Sequence, residues 1–524
     1  MNRQNTNNPA RRSAIEEELA VLCERMAVLK AEYNSIAPIS VLPNEVLIQI
    51  FSCVPEFHSY SVSPVIQLHK LSLVCRDWHD IVLGSSALWS NITCPWQSTE
   101  RKLEIQLTRS RAAPLTIKFD RLDSFSFAPM IPANAERLKS LDIAGEPKFV
   151  LDFMSRMQHF YFPLLQSLTL TPDHPLEGDG LEVEACLPLE LLEGRMPRIS
   201  RLSLSYIDAG WESLPPLRAL ILAGGPGSRV TPISFHVLFG LLQSSPALYT
   251  LQLDMMTVAG GPEQPHPVEL PHLRLLYFRD FLHHCKALLA HLVLPPSTRL
   301  LLYPLGITGG VDVRDILIPL RKHLRAPGAP IATTLVLRVP LDDGTVINFR
   351  TTTYLNEAAY TGFDLDGLFG INSHPAGAPA LRQIMAKVLK ALPTQSITYL
   401  DIGSARLTYA SWKTALALLP ALEKVRLHVG DGGTHFCQAA LDMGYSLCAL
   451  RVLCTVRAGI QQEMEWVAPF FNALTRLLRG YQLSETPLKH LDVMDNFRAL
   501  DLGAGKWAEL RGLVGKLDTD VEQS

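Results

Sequence analysis

Residues 39–51, with the sequence ISVLPNEVLIQIF, carry the signals of a short helix with one apolar side. Pro43 suits the first turn of a helix, where the missing N–H of proline costs nothing. Glu45 follows in the same turn, where the helix dipole favours a negative charge. Apolar side chains then recur at helical spacing, at Val46, Leu47, Ile50 and Phe51. This stretch predicts a helix that begins near Pro43.

Two further short stretches extend the pattern. Residues 71–78 have the sequence LSLVCRDW, and residues 86–89 have the sequence SALW. Side chains suited to a core recur there at steps of three and four, at Leu68, Leu71, Cys75, Trp78 and Val82. A second buried helical face is therefore predicted close behind the first.

The order Leu-Pro-x-Glu, Val-Cys-Arg-x-Trp and Leu-Trp resembles the F-box family, in particular fungal members with an amphipathic helix just upstream. The resemblance covers residues 38–95. It implies a module of three helices that docks on a Skp-type adaptor, which connects it to a cullin and a ubiquitin-conjugating enzyme. The family pattern implies these adaptor-facing residues: Leu42, Pro43, Glu45, Ile50, Phe51, Leu71, Val74, Cys75, Trp78 and Trp89.

Some of these residues are expected in the core of the module instead, and for Trp78 and Trp89 both positions stay open. The segment 52–66 is longer than the usual connection between the first two F-box helices, and it contains Pro55 and Pro64. A loop that alters the adaptor surface is predicted there.

Residues 13–37 predict an amphipathic, coiled-coil-like helix after a disordered segment 1–12. Ser13 and Glu16 have the spacing of a capping box. Apolar residues recur at alternating steps of four and three, at Ile15, Leu19, Leu22, Met26, Leu29, Tyr33 and Ile36. The helix either dimerises or packs along its own F-box. Packing is favoured, because three heptads are marginal for a free-standing dimer.

A short motif recurs through residues 96–515: apolar-x-x-apolar-x-apolar, often with proline two residues earlier. It is typical of a short strand whose alternate residues point into a core. Copies begin at Leu138, Leu165, Ile199, Leu217, Leu248, Leu273, Leu289, Ile397, Leu422, Leu450 and Leu488. Helical stretches lie between copies, for example at 235–242, 381–389 and 467–478.

The predicted fold class is therefore an N-terminal all-α part, a helix plus a three-helix F-box module, followed by an α/β leucine-rich-repeat-like solenoid. The solenoid is expected to be irregular, because many spacings exceed the roughly 20–29 residues of a regular repeat.

The region 304–380 breaks the repeat. Residues 335–339 and 345–350 flank Asp342-Asp343-Gly344, which predicts a β-hairpin with a glycine-assisted turn. The glycine-rich residues 362–380 predict a surface loop. The region is either an insertion at the rim or a distortion in the middle of the array.

Residues between the apolar positions of the strands are predicted on the concave face of the solenoid. They form a candidate target-binding surface: Thr169, Ser203, Gln252, Tyr277, Asp401, Arg426 and Asp492. The alternative for each is an ordinary solvated sheet face.

No motif for catalysis, a cofactor or a metal stands out. Residues 503–507, GAGKW, lack the leading glycine and the Ser or Thr of a phosphate loop. Adjacent His283 and His284 have no second ligand pair nearby, and Cys437 has no flanking nucleophile motif. The chain is therefore predicted to be non-catalytic, without catalytic, cofactor-binding or metal-binding residues.

Composition indicates a globular protein, with 47% hydrophobic and 19% charged residues. The net charge of −3 gives no basic footprint for nucleic acid. No secretory signal and no apolar run of about 18 residues occurs, so a membrane partner is not expected. The nine cysteines are spread singly, which argues against a disulfide framework. The expected location is cytoplasmic, nuclear or both.

Two functions compete. The first is a substrate-recognition subunit of a Skp–cullin–F-box (SCF) ubiquitin ligase, in which the F-box binds the adaptor and the repeat region binds a protein target. The alternative is a scaffold outside any ligase, with a relic F-box, either with or without self-association through the N-terminal helix.

Overall fold

The computed structural model describes residues 9–54, 64–95, 99–122, 130–173, 186–188, 190–224, 233–255, 267–305, 314–338, 347–352, 369–373, 378–403, 407–429, 432–445, 447, 449–454, 467–495 and 504–519. The chain divides into two units, Met1–Leu202 and Ser203–Ser524. The first unit contains residues 39–95. The division falls inside the region 96–515 that the sequence assigns to a single domain.

The first unit is helical at its start and α/β afterwards. Its elements are α1 (Pro9–Ser35), α2 (Asn44–Cys53), α3 (Pro64–Ser72), α4 (Arg76–Gly84), β1 (Asn91–Cys94), α5 (Glu100–Arg109), β2 (Leu115–Leu122), β3 (Leu138–Gly145), α6 (Pro147–Met157) and β4 (Ser167–Pro172). Short 3-10 turns occur at Pro38–Val41, Ser86–Trp89 and Pro132–Arg137, and a π turn at Leu191–Arg195. The boundary between the two units, after Leu202, lies within strand β5 (Arg201–Ser205).

The second unit is α/β throughout. Its elements are β6 (Ala219–Ala223), α7 (Phe235–Ser244), β7 (Thr250–Asp254), β8 (Val268–Glu269), β9 (Leu275–Phe281), α8 (Leu282–His291), β10 (Leu292–Val293), β11 (Arg299–Leu305), α9 (Arg314–Leu324), β12 (Thr334–Arg338), β13 (Ile347–Thr352), β14 (Phe369–Ser373), α10 (Ala378–Ala391), β15 (Tyr399–Gly403), α11 (Tyr409–Leu418), β16 (Lys424–Val429), α12 (Gly432–Asp442), β17 (Ala449–Cys454), α13 (Val467–Leu483), β18 (His490–Asp495), α14 (Ala504–Leu513) and β19 (Lys516–Thr519). Short 3-10 turns occur at Trp211–Ser213 and Thr394–Ser396.

Neighbouring strands pair mostly in parallel and in chain order. In the first unit, β1, β2, β3 and β4 pair in parallel, one after the next. In the second unit the same holds for β6, β7, β9 and β11, and again from β15 to β19. A separate parallel pair joins β8 and β10. The expected combination of a helical N-terminal part with an α/β remainder is therefore confirmed.

Several strands follow a tight turn that contains proline. The N–H of Leu165 donates to the carbonyl oxygen of Phe162 at 3.3 Å, so Pro163 occupies the second position of a four-residue turn. The fixed φ of proline suits this position. The same bond closes turns with Pro197, Pro246, Pro271 and Pro420 at the second position. The apolar residue that closes each turn and the two in the strand behind it are buried, as the motif predicts.

One predicted copy of the motif is wrong. Leu289 lies in α8 and not in a strand, and β10 contains only Leu292 and Val293. The strand that pairs with β9 in this part of the array is β11, where Leu300 lies opposite Leu276. No copy of the predicted motif begins at β11.

The predicted hairpin is confirmed, and it lies between two runs of parallel strands. Strands β12 and β13 pair antiparallel, with Leu335 opposite Thr351; the turn between them is outside the described residues. Strand β14 pairs antiparallel with β13 and parallel with β11, while β12 pairs in parallel with β15. The antiparallel strands therefore stand between two parallel runs. The expected loop at 362–380 contains β14 and the start of α10; its remaining residues are outside the described part.

Helix α1 begins at Pro9, so residues 9–12, which were predicted to be disordered, are helical and Ser13 lies inside the helix. The favoured packing along the F-box is not observed. The apolar residues at heptad spacing are 49% to 76% exposed, so they do not pack along the described part of residues 39–95. None of the helices in the described residues combines the length and the apolarity needed to cross a bilayer.

Candidate functional site

Residues 39–95 form a small helical module with its own core. The side chains of this core come from α2, α3, α4 and the 3-10 turn Ser86–Trp89, and they are Leu47, Phe51, Leu68, Val82, Leu88 and Trp89. Each element is too short to be stable alone in water, since isolated helices of about 12–15 residues are already marginal. The shared core therefore holds the module together.

The apolar residues of α2 divide into two stripes. Pro43 is the N-cap, and its carbonyl oxygen accepts the first helical hydrogen bonds, from Val46 N–H at 3.0 Å and from Leu47 N–H at 3.1 Å. Glu45 lies in the first turn, as predicted. Leu47 and Phe51 face the core, whereas Leu42 before the helix, and Val46 and Ile50 within it, are exposed. The spacing of four residues puts Val46 and Ile50 on one side of the helix.

The turn between α3 and α4 presents a second set of exposed apolar side chains. Leu73 is 70% exposed and Val74 is 58% exposed. Their N–H groups donate to the carbonyl oxygens of Lys70 and Leu71, both at 3.2 Å, which fixes the turn. Cys75 follows as the N-cap of α4, and its Sγ accepts from the N–H of Trp78 at 3.5 Å. Apolar residues held in water by a fixed backbone are typical of a binding surface.

The large aromatic residues of the module lie in or against its core. Phe51 and Trp89 are buried, so their side chains offer almost no surface to a partner. Trp78 is half-buried, and its ring lies 4.6 Å from that of Phe51. The Trp89 indole donates Nε1–H to the carbonyl oxygen of Val82 at 2.7 Å, and the Arg109 guanidinium lies 4.4 Å above it.

The other predicted adaptor-facing residues lie at or near the surface. Pro43, Glu45, Ile50 and Val74 are exposed, while Leu71 and Cys75 are half-buried. Leu42 is exposed as well. Their roles in adaptor contact stay predictions.

Five large apolar residues that are exposed in the described part of this module were missing from the predicted set: Ile39, Val41, Val46, Ile66 and Leu73. Val46 lies one turn before Ile50, so helical spacing could have placed it on the same side of the helix. Leu73 precedes Val74 in a turn that no helical periodicity describes, and its exposure had no signal in the sequence.

The predicted target-facing residues lie on strands, but not all of them are accessible. Thr169 is on β4 and Ser203 on β5, both half-buried. Gln252 on β7 and Tyr277 on β9 are half-buried neighbours in register. The remaining three share one row across neighbouring strands of the second unit: Asp401 on β15, Arg426 on β16 and Asp492 on β18.

Asp401 and Arg426 are buried, which the prediction of an open concave face did not anticipate. Oδ2 of Asp401 and Nη1 of Arg426 are 3.6 Å apart. The two opposite charges on adjacent strands offset each other there, since either charge alone would be costly to bury. Their first role is therefore structural. Asp492 remains half-buried on the same row.

A polar cluster surrounds Tyr277. Its hydroxyl donates to Oδ2 of Asp254 at 3.3 Å, and Nη1 of Arg279 lies 3.6 Å from Oδ1 of the same carboxylate. Burial raises the pKa of Asp254, and the Arg279 charge partly opposes that shift. The ring of Tyr303 lies 5.0 Å from that of Tyr277. This cluster combines aromatic surface with charge, a composition suited to protein contact.

Two sites with potentially reactive side chains are buried. Nδ1 of His284 lies 3.1 Å from Oδ1 of Asp280, and both side chains are buried. Burial also raises the pKa of the Cys437 thiol, which keeps it protonated and unreactive. Within the described ranges, no group of three His, Cys, Asp or Glu side chains could hold a metal ion.

Comparison with known families gives one match. Residues 39–95 match a family model described as F-box-like, which covers the helical module and β1. No curated protein matches the chain. The match agrees with the motif order in the sequence and with the helices that these residues form. Residues 39–95 are therefore an F-box-like domain.

Proposed function

We propose that this chain is the substrate-recognition subunit of an SCF-type ubiquitin ligase. The F-box-like domain binds a Skp-type adaptor and, through it, a cullin. The region behind it, an irregular leucine-rich-repeat-like solenoid, binds a protein target. The chain itself is non-catalytic and acts in the cytoplasm, the nucleus or both. The observation that carries this proposal is the set of exposed apolar residues on α2 and on the α3–α4 turn.

F-box domains generally bind Skp-type adaptors, and the exposed residues fit that role. Val46 and Ile50 face water from one side of α2 and Leu42 from the segment just before it, while Leu73 and Val74 do so from the turn. Fully burying one such side chain contributes about 1.5–3 kcal/mol. A partner that covers these residues would therefore be bound with useful affinity. In the free domain, their exposure contributes no stabilising free energy.

The target-binding part of the proposal is supported by the strand faces of the second unit. Parallel strands in chain order present half-buried polar and aromatic side chains, with Gln252 opposite Tyr277 and Asp254 opposite Arg279. Tyrosine and arginine are the residues that most often dominate protein interfaces. We infer that this face contributes to target contact.

The proposed mechanism is proximity. A receptor that holds the target on one region and the adaptor on another raises the local concentration of target lysines near the charged conjugating enzyme. Bond making and breaking then take place on other subunits. This division of labour is compatible with the structural roles of Cys437 and of the Asp280–His284 pair.

Co-purification of the full chain with the Skp-type adaptor of its host tests the proposal. The informative variant is Leu42→Asp with Val46→Asp, because both residues are exposed and their replacement leaves the core intact. Ile105→Asp on α5 is the matched control, since Ile105 is also exposed but lies outside residues 39–95. We expect the native chain and the control to recover the adaptor, and the double variant to lose it. Equal recovery by all three folded proteins would exclude this docking surface.

A further inference from the structure

Helix α1 exposes an apolar seam along its length. The helix has 27 residues and spans about 40 Å. Ile15, Leu19, Leu22, Met26 and Leu29 are each about half exposed. Helices in proteins gain most of their stability by packing an apolar face, and the described residues provide no such packing for this one beyond the turn at its end. A missing partner is therefore indicated.

The spacing of the seam specifies what kind of partner fits. Its steps alternate between four and three, an average period of 3.5, which is the period of a left-handed coiled coil. The knobs of such a seam fit the holes of another heptad seam. Within the described part of the chain, α1 is the helix that exposes a heptad seam. A second copy of α1 is therefore the surface that complements it.

The charges beside the seam specify the orientation. Arg11, Glu18, Arg25 and Glu32 follow one another at steps of seven on one flank, and all are exposed. Their signs alternate as plus, minus, plus, minus. The reversed series is minus, plus, minus, plus, so an antiparallel second copy places opposite charges together at every position of this flank.

A parallel second copy lacks that match. In a parallel coiled coil each residue of this flank faces the residue five positions later on the other chain. Arg11 would then face the opposite charge of Glu16 of the second copy, but Arg25 would face Lys30, and the two-fold axis would repeat that repulsion. Like charges at such positions are destabilising.

We infer that two copies of this chain pair through α1 as an antiparallel, two-fold symmetric coiled coil. Leu19 of one copy packs beside Leu22 of the other, and Ile15 beside Met26. Glu18 pairs with Arg25 of the second copy, and Arg11 with Glu32. The C-terminal ends of the two helices then lie about 40 Å apart, which leaves both F-box-like domains accessible.

The inference does not depend on adaptor binding, so the full chain is tested alone. Sedimentation velocity over about 1–100 µM should detect a concentration-dependent dimer, because the seam is short. Leu19→Asp with Leu22→Asp should abolish it; both side chains are solvent-exposed, so a circular dichroism spectrum verifies that the fold is retained. A monomer at every concentration, or a dimer that survives this change, would refute the pairing.

Charge reversal tests the orientation. Glu18 and Arg25 have no charged residue three or four positions away, so reversing either leaves the helix's own ion pairs unchanged. Arg25→Glu should weaken the antiparallel dimer about tenfold, and Glu18→Lys added to it should restore the affinity. A parallel dimer would instead be strengthened by Arg25→Glu, through Lys30 of the second copy, and that result would overturn the antiparallel arrangement.

Discussion

The indole Nε1–H of Trp89 donates a hydrogen bond of 2.7 Å to the carbonyl oxygen of Val82, in the last turn of α4. Carbonyl groups in the last turn of a helix have no N–H partner within that helix. The same indole lies under the guanidinium of Arg109, at the end of α5. Trp89 therefore caps the last helix of the F-box-like domain and connects it to the next helix along the chain.

Replacing Trp89 should separate the contribution of its hydrogen bond to stability from the contribution of its buried ring. Trp89→Phe keeps an aromatic ring but leaves the Val82 carbonyl unsatisfied, at a cost of about 1–3 kcal/mol. Trp89→Ala also opens a cavity and should cost about 3–5 kcal/mol. Urea denaturation measures both, with Glu104→Ala as the control at an exposed position of α5. Equal stability of the Phe variant and the native chain would show that the cap contributes nothing.

Arg137 performs a related role at the end of α5. Its guanidinium donates to the carbonyl oxygens of Leu107 and Arg111 and to Oγ of Ser110. Arg137→Ala leaves these acceptors without their charged donor, and we expect a loss of about 1–3 kcal/mol in the free energy of unfolding. Lys139→Ala, a nearby exposed change, should stay within about 0.5 kcal/mol. If both variants lose the same stability, Arg137 is not a cap.

The buried Asp401–Arg426 pair should show strong coupling. Asp401→Ala alone removes the carboxylate paired with a buried guanidinium, which costs about 3–5 kcal/mol. Adding Arg426→Met removes that charge, so the double variant should be more stable than Asp401→Ala. A double-mutant cycle from denaturation curves measures the coupling. Strictly additive losses would mean that the two side chains do not interact.

Cysteine reactivity should follow burial. Cys23 and Cys53 are exposed, so both should react with iodoacetamide in the native chain. Burial raises the pKa of Cys94 to about 12, and it raises those of Cys285 and Cys437 still further from their ordinary value. Because the thiolate is the reactive form, these three should be protected until urea is added. Mass spectrometry of the alkylated peptides gives the pattern, and rapid native labelling of Cys437 would contradict the described packing.

The sequence predicted the structure best where the turn preference of proline and the burial of apolar residues indicated the same strand. The Pro-x-apolar start of a copy marks a real turn, for example Pro271 followed by Leu273, and the residues three and five positions beyond Leu273 point inward. Strand β11 shows why one copy was missed. Its turn contains Pro296 but closes on polar Thr298, and the strand then pairs one residue earlier than in the other copies, with Leu300 opposite Leu276.

The mid-array position of the hairpin could not be predicted from local patterns. Its strands were recognised from alternation and a glycine turn, but their neighbours β11 and β15 are distant in the chain. Local patterns also could not predict which apolar residues of the F-box-like domain are buried. Phe51 and Ile50 are adjacent and similar in hydrophobicity, yet only the packing of α4 against α2 decides that Phe51 is enclosed and Ile50 exposed.

Adaptor docking by the F-box-like domain is the central claim, and calorimetric titration of the full chain with the Skp-type adaptor of its host tests it most directly. The account predicts one adaptor per chain. It also predicts that Leu73→Asp with Val74→Asp weakens binding about 100-fold or more, because two exposed apolar side chains are lost from the interface. No binding by a correctly folded native chain, or unchanged affinity of the double variant, would contradict the claim.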